Sequence, residues 1–195
     1  MDEQLLVNRL QETFKEDCTG HDFEHMKRVH HLAMYLQSQE GGDIELISLA
    51  SWLHDLDDHK FVTKNEAETK TNARKLMKEL NINDDIIEKV CAIISCVSFS
   101  AHQAPVSLEA KIVQDADRLD AMGAIGIARA FAYGASIQRP IYSQTNPQNT
   151  LQHFDDKLLK LKDFMHTKTA KQIAEKRHQR LEEFVDHFKE EWSFK

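Results

Sequence analysis

Residues 51–60, SWLHDLDDHK, constrain this chain more than any other stretch. Immediately upstream, Ile44, Leu46, Ile47, Leu49, Ala50, Trp52 and Leu53 leave little room for a polar face, so the spacing predicts a helix buried on most sides. That helix runs straight into acid and imidazole. His54, Asp55 and Asp58 stand at i, i+1 and i+4, and a carboxylate without a partner in such surroundings costs on the order of several kcal/mol. A cation has to meet them. A lysine or arginine from another helix is the ordinary solution. An adjacent His-Asp pair, however, also offers a neutral nitrogen beside an anionic oxygen, the mixed donor set that suits Mn, Fe, Co, Ni and Zn. Two donors do not make a site, so the question becomes whether other helices supply more.

The chain has the material for one domain with a substantial core: 195 residues, three prolines, six glycines and 41% hydrophobic residues. A formal net charge of -7 with no long Lys/Arg run argues against a protein that holds nucleic acid by bulk electrostatics. An anionic small molecule stays compatible with a local cationic centre. Cys18, Cys91 and Cys96 are odd in number and lack zinc-finger spacing, which reads as reduced thiols. Acids occupy the first residues where a signal peptide needs an apolar region, and no apolar run reaches membrane-spanning length. The expectation is a soluble cytoplasmic protein without membrane contact.

Taken in order, the periodicity predicts helices over residues 4–15, 22–40, 65–80, 84–98, 108–133, 151–165 and 169–192, besides the central one. No strand alternation, repeat or linker interrupts them, so the expected fold is all-α, a single helical bundle of roughly seven to nine helices over 1–195. Residues 134–149, polar and carrying Pro140 and Pro147, read as a loop or lid. His25 lies on or beside the buried stripe of its helix. His21-Asp22 is a second His-Asp pair, but Asp22 stands where a helix-capping acid belongs, and His21 is kept only as an alternative ligand. His30 and His31 read as surface residues or as residues that back the ligands. The 108–133 stretch is apolar on nearly every face yet holds Asp115, Asp117 and Asp120. Asp117 and Asp120 share a face, whereas Asp115 points elsewhere. His25, His54, Asp55 and Asp117 are therefore the strongest candidates, drawn from three separate helices.

HMKRV around His25, LHDLDDHK around His54-Asp55 and QDADRLDAMGAIGIAR around Asp117 form the ordered pattern H…HD…D, which resembles the HD-domain metal-dependent phosphohydrolase superfamily. The HFDDKLLKLKDFMHTKTAK segment is similar to the bacterial branch that includes the Bacillus YpgQ-type proteins, so the resemblance covers nearly the whole chain. It implies an HD-type bundle in which His25, His54, Asp55 and Asp117 hold one divalent ion, Mn first, with Mg, Co, Ni or Fe as alternatives. It implies a general acid or base at Asp58 and phosphate-binding cations. Arg28 and Lys60 flank the proposed ligands, and His102, Asp120 and Arg129 complete the expected substrate contacts, with Arg118 and Lys157 behind them. The implied activity is hydrolysis of a nucleotide, a nucleoside triphosphate going to monophosphate and pyrophosphate. The rivals are a nucleoside monophosphatase or other phosphoesterase of the superfamily, and a non-catalytic nucleotide-binding module. A homodimer is the assembly kept open.

Overall fold

The structure is a computed structural model that describes residues 3–15, 17, 20–57, 63–97 and 104–193. All its regular elements are helices; no strand occurs among the described residues. Contacts gather them into two compact units, one of residues 1–17 and 21–117, the other of 18–20 and 118–195.

The first unit contains α1 (Glu3–Phe14), α2 (Phe23–Glu40), α3 (Ile44–Leu53), α4 (Lys64–Thr69), α5 (Thr71–Glu79), α6 (Asp84–Ser95) and most of α7 (Leu108–Asp120). Its centre is α3, which packs on α2 and α6; α1 lies on α2, and α5 on α6. The predicted apolar helix is buried as expected except at its start, where Ile44 is exposed. Local chemistry sets each boundary. Asp22 caps α2, Asp43 caps α3 and Asn83 caps α6, each accepting backbone N–H groups that the first helical turn leaves unsatisfied. Gly41 and Gly42 adopt left-handed φ values of 84° and 94°, which turn the chain tightly from α2 into α3.

Aromatic packing then fixes α2 against α3. Trp52 is stacked between Phe23 and His30, at centroid distances of 5.9 and 4.5 Å. His30 is thus buried, which rules out the surface reading for it; His31 is exposed, in keeping with that reading. Ser51 Oγ donates to the Ser48 carbonyl and accepts from His30 Nδ1 at 3.1 Å. Burial and the neighbouring His31 hold the His30 pKa down to about 4, so its imidazole is neutral at pH 7.

The predicted helix over 65–80 is two helices, because Lys70 takes a left-handed conformation (φ 54°) between α4 and α5. Thr63 and Glu66 form a reciprocal capping box on α4. The start of α5 has no side-chain cap of its own. Asp57, buried just beyond α3, takes that role by accepting from Asn72 N at 3.0 Å and Ala73 N at 2.8 Å. Cys91 and Cys96 are free thiols, as read from the sequence.

The second unit contains α8 (Gly123–Ser136), α9 (Gln152–Asp156), a 3-10 helix over Leu158–Phe164 and α10 (Lys168–Ser193), with α10 packed on α8 and on the 3-10 helix. The predicted 108–133 helix is broken: Met122 is extended and Gly123 has φ 69°, which separates α7 from α8. Arg177 donates to the Leu119 carbonyl and so satisfies the end of α7. The predicted 151–165 helix survives only as α9. Beyond Lys157 the chain tightens into the 3-10 helix, where residues three apart align and Leu158 and Leu161 both enter the core. Gly134 leaves no room for a Cβ against the Thr150 side chain, so the thin surface of α8 is used at that point. The polar loop that follows is tied at its end: Thr150 N donates to Pro140 O at 2.8 Å and Leu151 N to Ile141 O at 3.0 Å. Inside it, buried Asn149 donates to the Asn146 carbonyl at 2.7 Å and accepts from Gln152 N at 2.9 Å.

Candidate metal centre

Three helix ends within the first unit build the centre. The first turn of α2 carries His25, fully buried; Asp22 Oδ1 accepts from its backbone N–H at 2.8 Å. Asp22 therefore serves the helix start, as its position in the sequence suggested. The C-terminus of α3 supplies His54 at the cap and Asp55 one residue later, both buried. Asp117 comes from α7, four residues after the buried Val113 and beside the fully buried Ala116.

Their polar atoms converge. His25 Nε2 lies 3.2 Å from His54 Nε2, 3.3 Å from Asp55 Oδ2 and 3.6 Å from Asp117 Oδ1. His54 Nε2 is 3.6 Å from Asp55 Oδ1 and 3.7 Å from Asp117 Oδ1. The two carboxylates flank the imidazole pair. His21, placed just before α2, adds a further contact: its Nδ1 is 2.8 Å from Asp55 Oδ2. The donor atoms fall into two overlapping trios, His21, His25 and Asp55, and His25, His54 and Asp117, with His25 common to both.

The electrostatics follow from burial and proximity. Burial pushes the Asp55 carboxyl upward, but the His54, His21 and His25 imidazoles outweigh it and hold the group well below the usual carboxylate range. Burial likewise raises Asp117, and His54 and His25 bring it down. His54 responds in reverse. Burial lowers it, Asp55 and Asp117 raise it more, and its pKa ends at about 9. Its Nδ1–H donates to the Ser51 carbonyl at 2.9 Å, so Nε2 is the nitrogen turned to the carboxylates. Among the described residues, every polar partner of Asp55 and Asp117 is an imidazole; no lysine or arginine meets either one.

Imidazole nitrogens and carboxylate oxygens at this spacing fit one divalent ion of borderline hardness, because both donor types bind such an ion once the imidazole proton has left. The structure brings together the four residues singled out from the sequence. It also brings in His21, which the sequence offered as half of a second His-Asp pair and as an alternative ligand. Asp58, Lys60 and His102 lie outside the described residues. Arg28 is half-buried on α2. Arg129 and Asp120, both expected to contact substrate, are engaged with each other in the second unit, where Nη1 donates to Oδ2 at 2.9 Å. Arg118, in the same unit, donates to the Phe164 carbonyl. No helix among the described residues is long and apolar enough to cross a membrane.

A family model for the HD domain matches residues 22–122, the span that carries all four candidate ligands. Protein YpgQ of Bacillus subtilis (strain 168) is 36% identical over 183 residues, which cover 90% of this chain and 86% of that protein. In the structural superposition, the crystal structure of B. subtilis YpgQ in complex with ADP matches with a TM-score of 0.80 at 32% identity, over 95% of this chain and 97% of that one. An HD-superfamily hydrolase from Bacillus thuringiensis matches with a TM-score of 0.78 at 40% identity, over 99% and 98%. A Lactobacillus plantarum protein superimposes with a TM-score of 0.87 at 34% identity, over 100% and 99%.

Proposed function

Because the chain belongs to the HD domain family, whose members among the matches include HD-superfamily hydrolases, we propose that it is a divalent-metal-dependent phosphohydrolase of nucleotides. The first-choice reaction is hydrolysis of a nucleoside triphosphate to monophosphate and pyrophosphate. One observation carries the metal part of this reading: among the described residues, the buried Asp55 carboxylate and the half-buried Asp117 carboxylate are met by imidazoles alone. A permanent cationic side chain would close the site, whereas imidazoles release their protons and become ligands. His25, His54, Asp55 and Asp117 would hold the ion, Mn first. When bound, such an ion lowers the pKa of a coordinated water toward ~7 and offsets charge on a phosphoryl group. The nucleotide part draws on the B. subtilis YpgQ structure, which was solved with ADP.

The chain's own residues supply the rest. The Ser51 carbonyl accepts from His54 Nδ1–H and turns Nε2 to the carboxylates, so the orientation of that ring is set before any ion arrives. To Arg28, one helical turn on from His25, we assign the attraction of the phosphate tail. We assign general acid or base work to Asp58, which either protonates the leaving group or orients the attacking water. A panel of nucleoside tri-, di- and monophosphates with Mn, Mg, Co and Ni, assayed separately for phosphate and pyrophosphate, tests the reading. Pyrophosphate released from triphosphates supports it. Phosphate released only from monophosphates would replace it with a monophosphatase. Nucleotide binding without turnover under any metal would leave a binding module.

A further inference from the structure

We infer that His21 is a positioning residue for the metal centre, holding the Asp55 carboxylate in one orientation by a hydrogen bond from Nδ1, and is not itself a ligand. The inference rests on the metal reading above and goes beyond its four ligands. The contact from His21 Nδ1 to Asp55 Oδ2, at 2.8 Å, is the shortest of those joining the cluster's side chains, and it is a hydrogen-bond length. Nitrogen and oxygen donors on a common ion, each about 2.1 Å from it and at right angles, would stand ~3 Å apart or more. His25 and His54, at 3.2 Å between Nε2 atoms, match that spacing.

The placement of the ring supports the same role. Among the described residues, His21 falls outside the trio of His25, His54 and Asp117 and groups with His25 and Asp55. Its ring meets the His25 ring edge-on, with centroids 5.5 Å apart. The backbone fixes it there: His21 N donates to Asp17 Oδ1 at 3.2 Å, Gly20 before it has φ 88°, and Asp22 after it caps α2. If Nδ1–H donates to Asp55, that nitrogen has no lone pair for a metal. The donation also occupies Oδ2 and so leaves Oδ1, the oxygen on the His54 side, to serve as ligand. An ordered carboxylate binds without first losing rotamer freedom, and hydrogen-bond partners of metal ligands commonly matter by ~10–100-fold in affinity.

The test exploits side-chain shape. Asparagine places an amide N–H where Nδ1 of histidine stands, glutamine places it nearer Nε2, and an amide nitrogen has no lone pair to offer a metal. Mn2+ dissociation constants are measured by calorimetry on metal-free wild type, His21→Ala, His21→Asn and His21→Gln, with Tm of each metal-free protein as the folding control. His21→Ala should weaken Mn2+ binding by about 10–100-fold, His21→Asn should restore most of that loss, and His21→Gln should not. Equal weakening in all three variants would make His21 a direct ligand and overturn the inference, as would wild-type affinity in His21→Ala. If His21→Ala fails to fold, the difference between the Asn and Gln variants decides. Failure of wild type itself to bind Mn2+ would instead remove the metal reading, and the role of His21 with it.

Discussion

Asp120 at the end of α7 and Asp55 just beyond α3 are both buried acids, and the chain neutralises them by different means. Asp120 accepts from the Arg129 guanidinium at 2.9 Å, and Arg177 also feels its charge. A guanidinium keeps its proton at every pH a folded protein meets, so this pair is complete as it stands. Asp55, with Asp117 beside it, is met by His21, His25 and His54, whose protons are exchangeable. Burial alone therefore does not mark a functional acid. What distinguishes the two regions is whether the partner can yield its place to another cation.

Removing an acid from each region should give opposite kinds of damage. Asp117→Ala is expected to abolish stoichiometric Mn2+ binding and lower kcat/KM by ~10³-fold or more, since the several kcal/mol that a metal supplies to charge stabilisation is lost. Metal analysis and kinetics on one preparation check this, and undiminished metal content would break the comparison at its functional end. Asp120→Asn is expected to cost about 3–5 kcal/mol of stability, because the mostly covered Arg129 guanidinium, 15% exposed, is left without its counter-charge. Denaturant unfolding measures that loss, while Mn2+ affinity should stay near wild type. A variant that folded normally and lost metal would dissolve the distinction.

The donors of the first region were legible in the sequence because their signal is local. Acids at the end of an apolar helix violate its pattern wherever the helix packs, and the same holds for Asp117 inside 108–133. The all-helical class and the last helix, expected over 169–192 and found as Lys168–Ser193, were legible for the same reason. Features set by distant contacts were not. His21 and Asp55 are 34 residues apart, and nothing local to HDFEH marks that meeting. His30 looked like one of a polar pair until Trp52 covered it. Asp57 is hidden within an acidic run, although it accepts from the start of α5. The break at Lys70 needed a left-handed lysine, a conformation that residue type does not announce.

Titration sharpens the contrast. The His54 pKa rises from an ordinary 6.5 to about 9 in the metal-free fold. The folded state therefore binds the proton more tightly than the unfolded chain, and the stabilisation is complete below 6.5 and is lost as pH climbs through about 9. The loss should be on the order of 3 kcal/mol, read as a falling Tm of metal-free protein across that window. Saturating Mn2+ should reverse the trend, because the metal competes with the proton and binds more tightly as pH rises toward 9. Asp57 offers a third and smaller case, since its partners are the backbone N–H groups of Asn72 and Ala73. Asp57→Asn is expected to cost ~1 kcal/mol in unfolding experiments.

The exchange of proton for metal can be counted directly. Metal-free protein at pH 7.5 is titrated with Mn2+ in buffers of different ionisation enthalpy, and the heats are resolved into binding and proton transfer. One Mn2+ per chain should bind with release of about one proton, the one that His54 carries at this pH, and Asp117→Ala should show neither. Binding without proton release, or release unaltered by Asp117→Ala, would contradict the claim that these imidazoles hold the place of a metal.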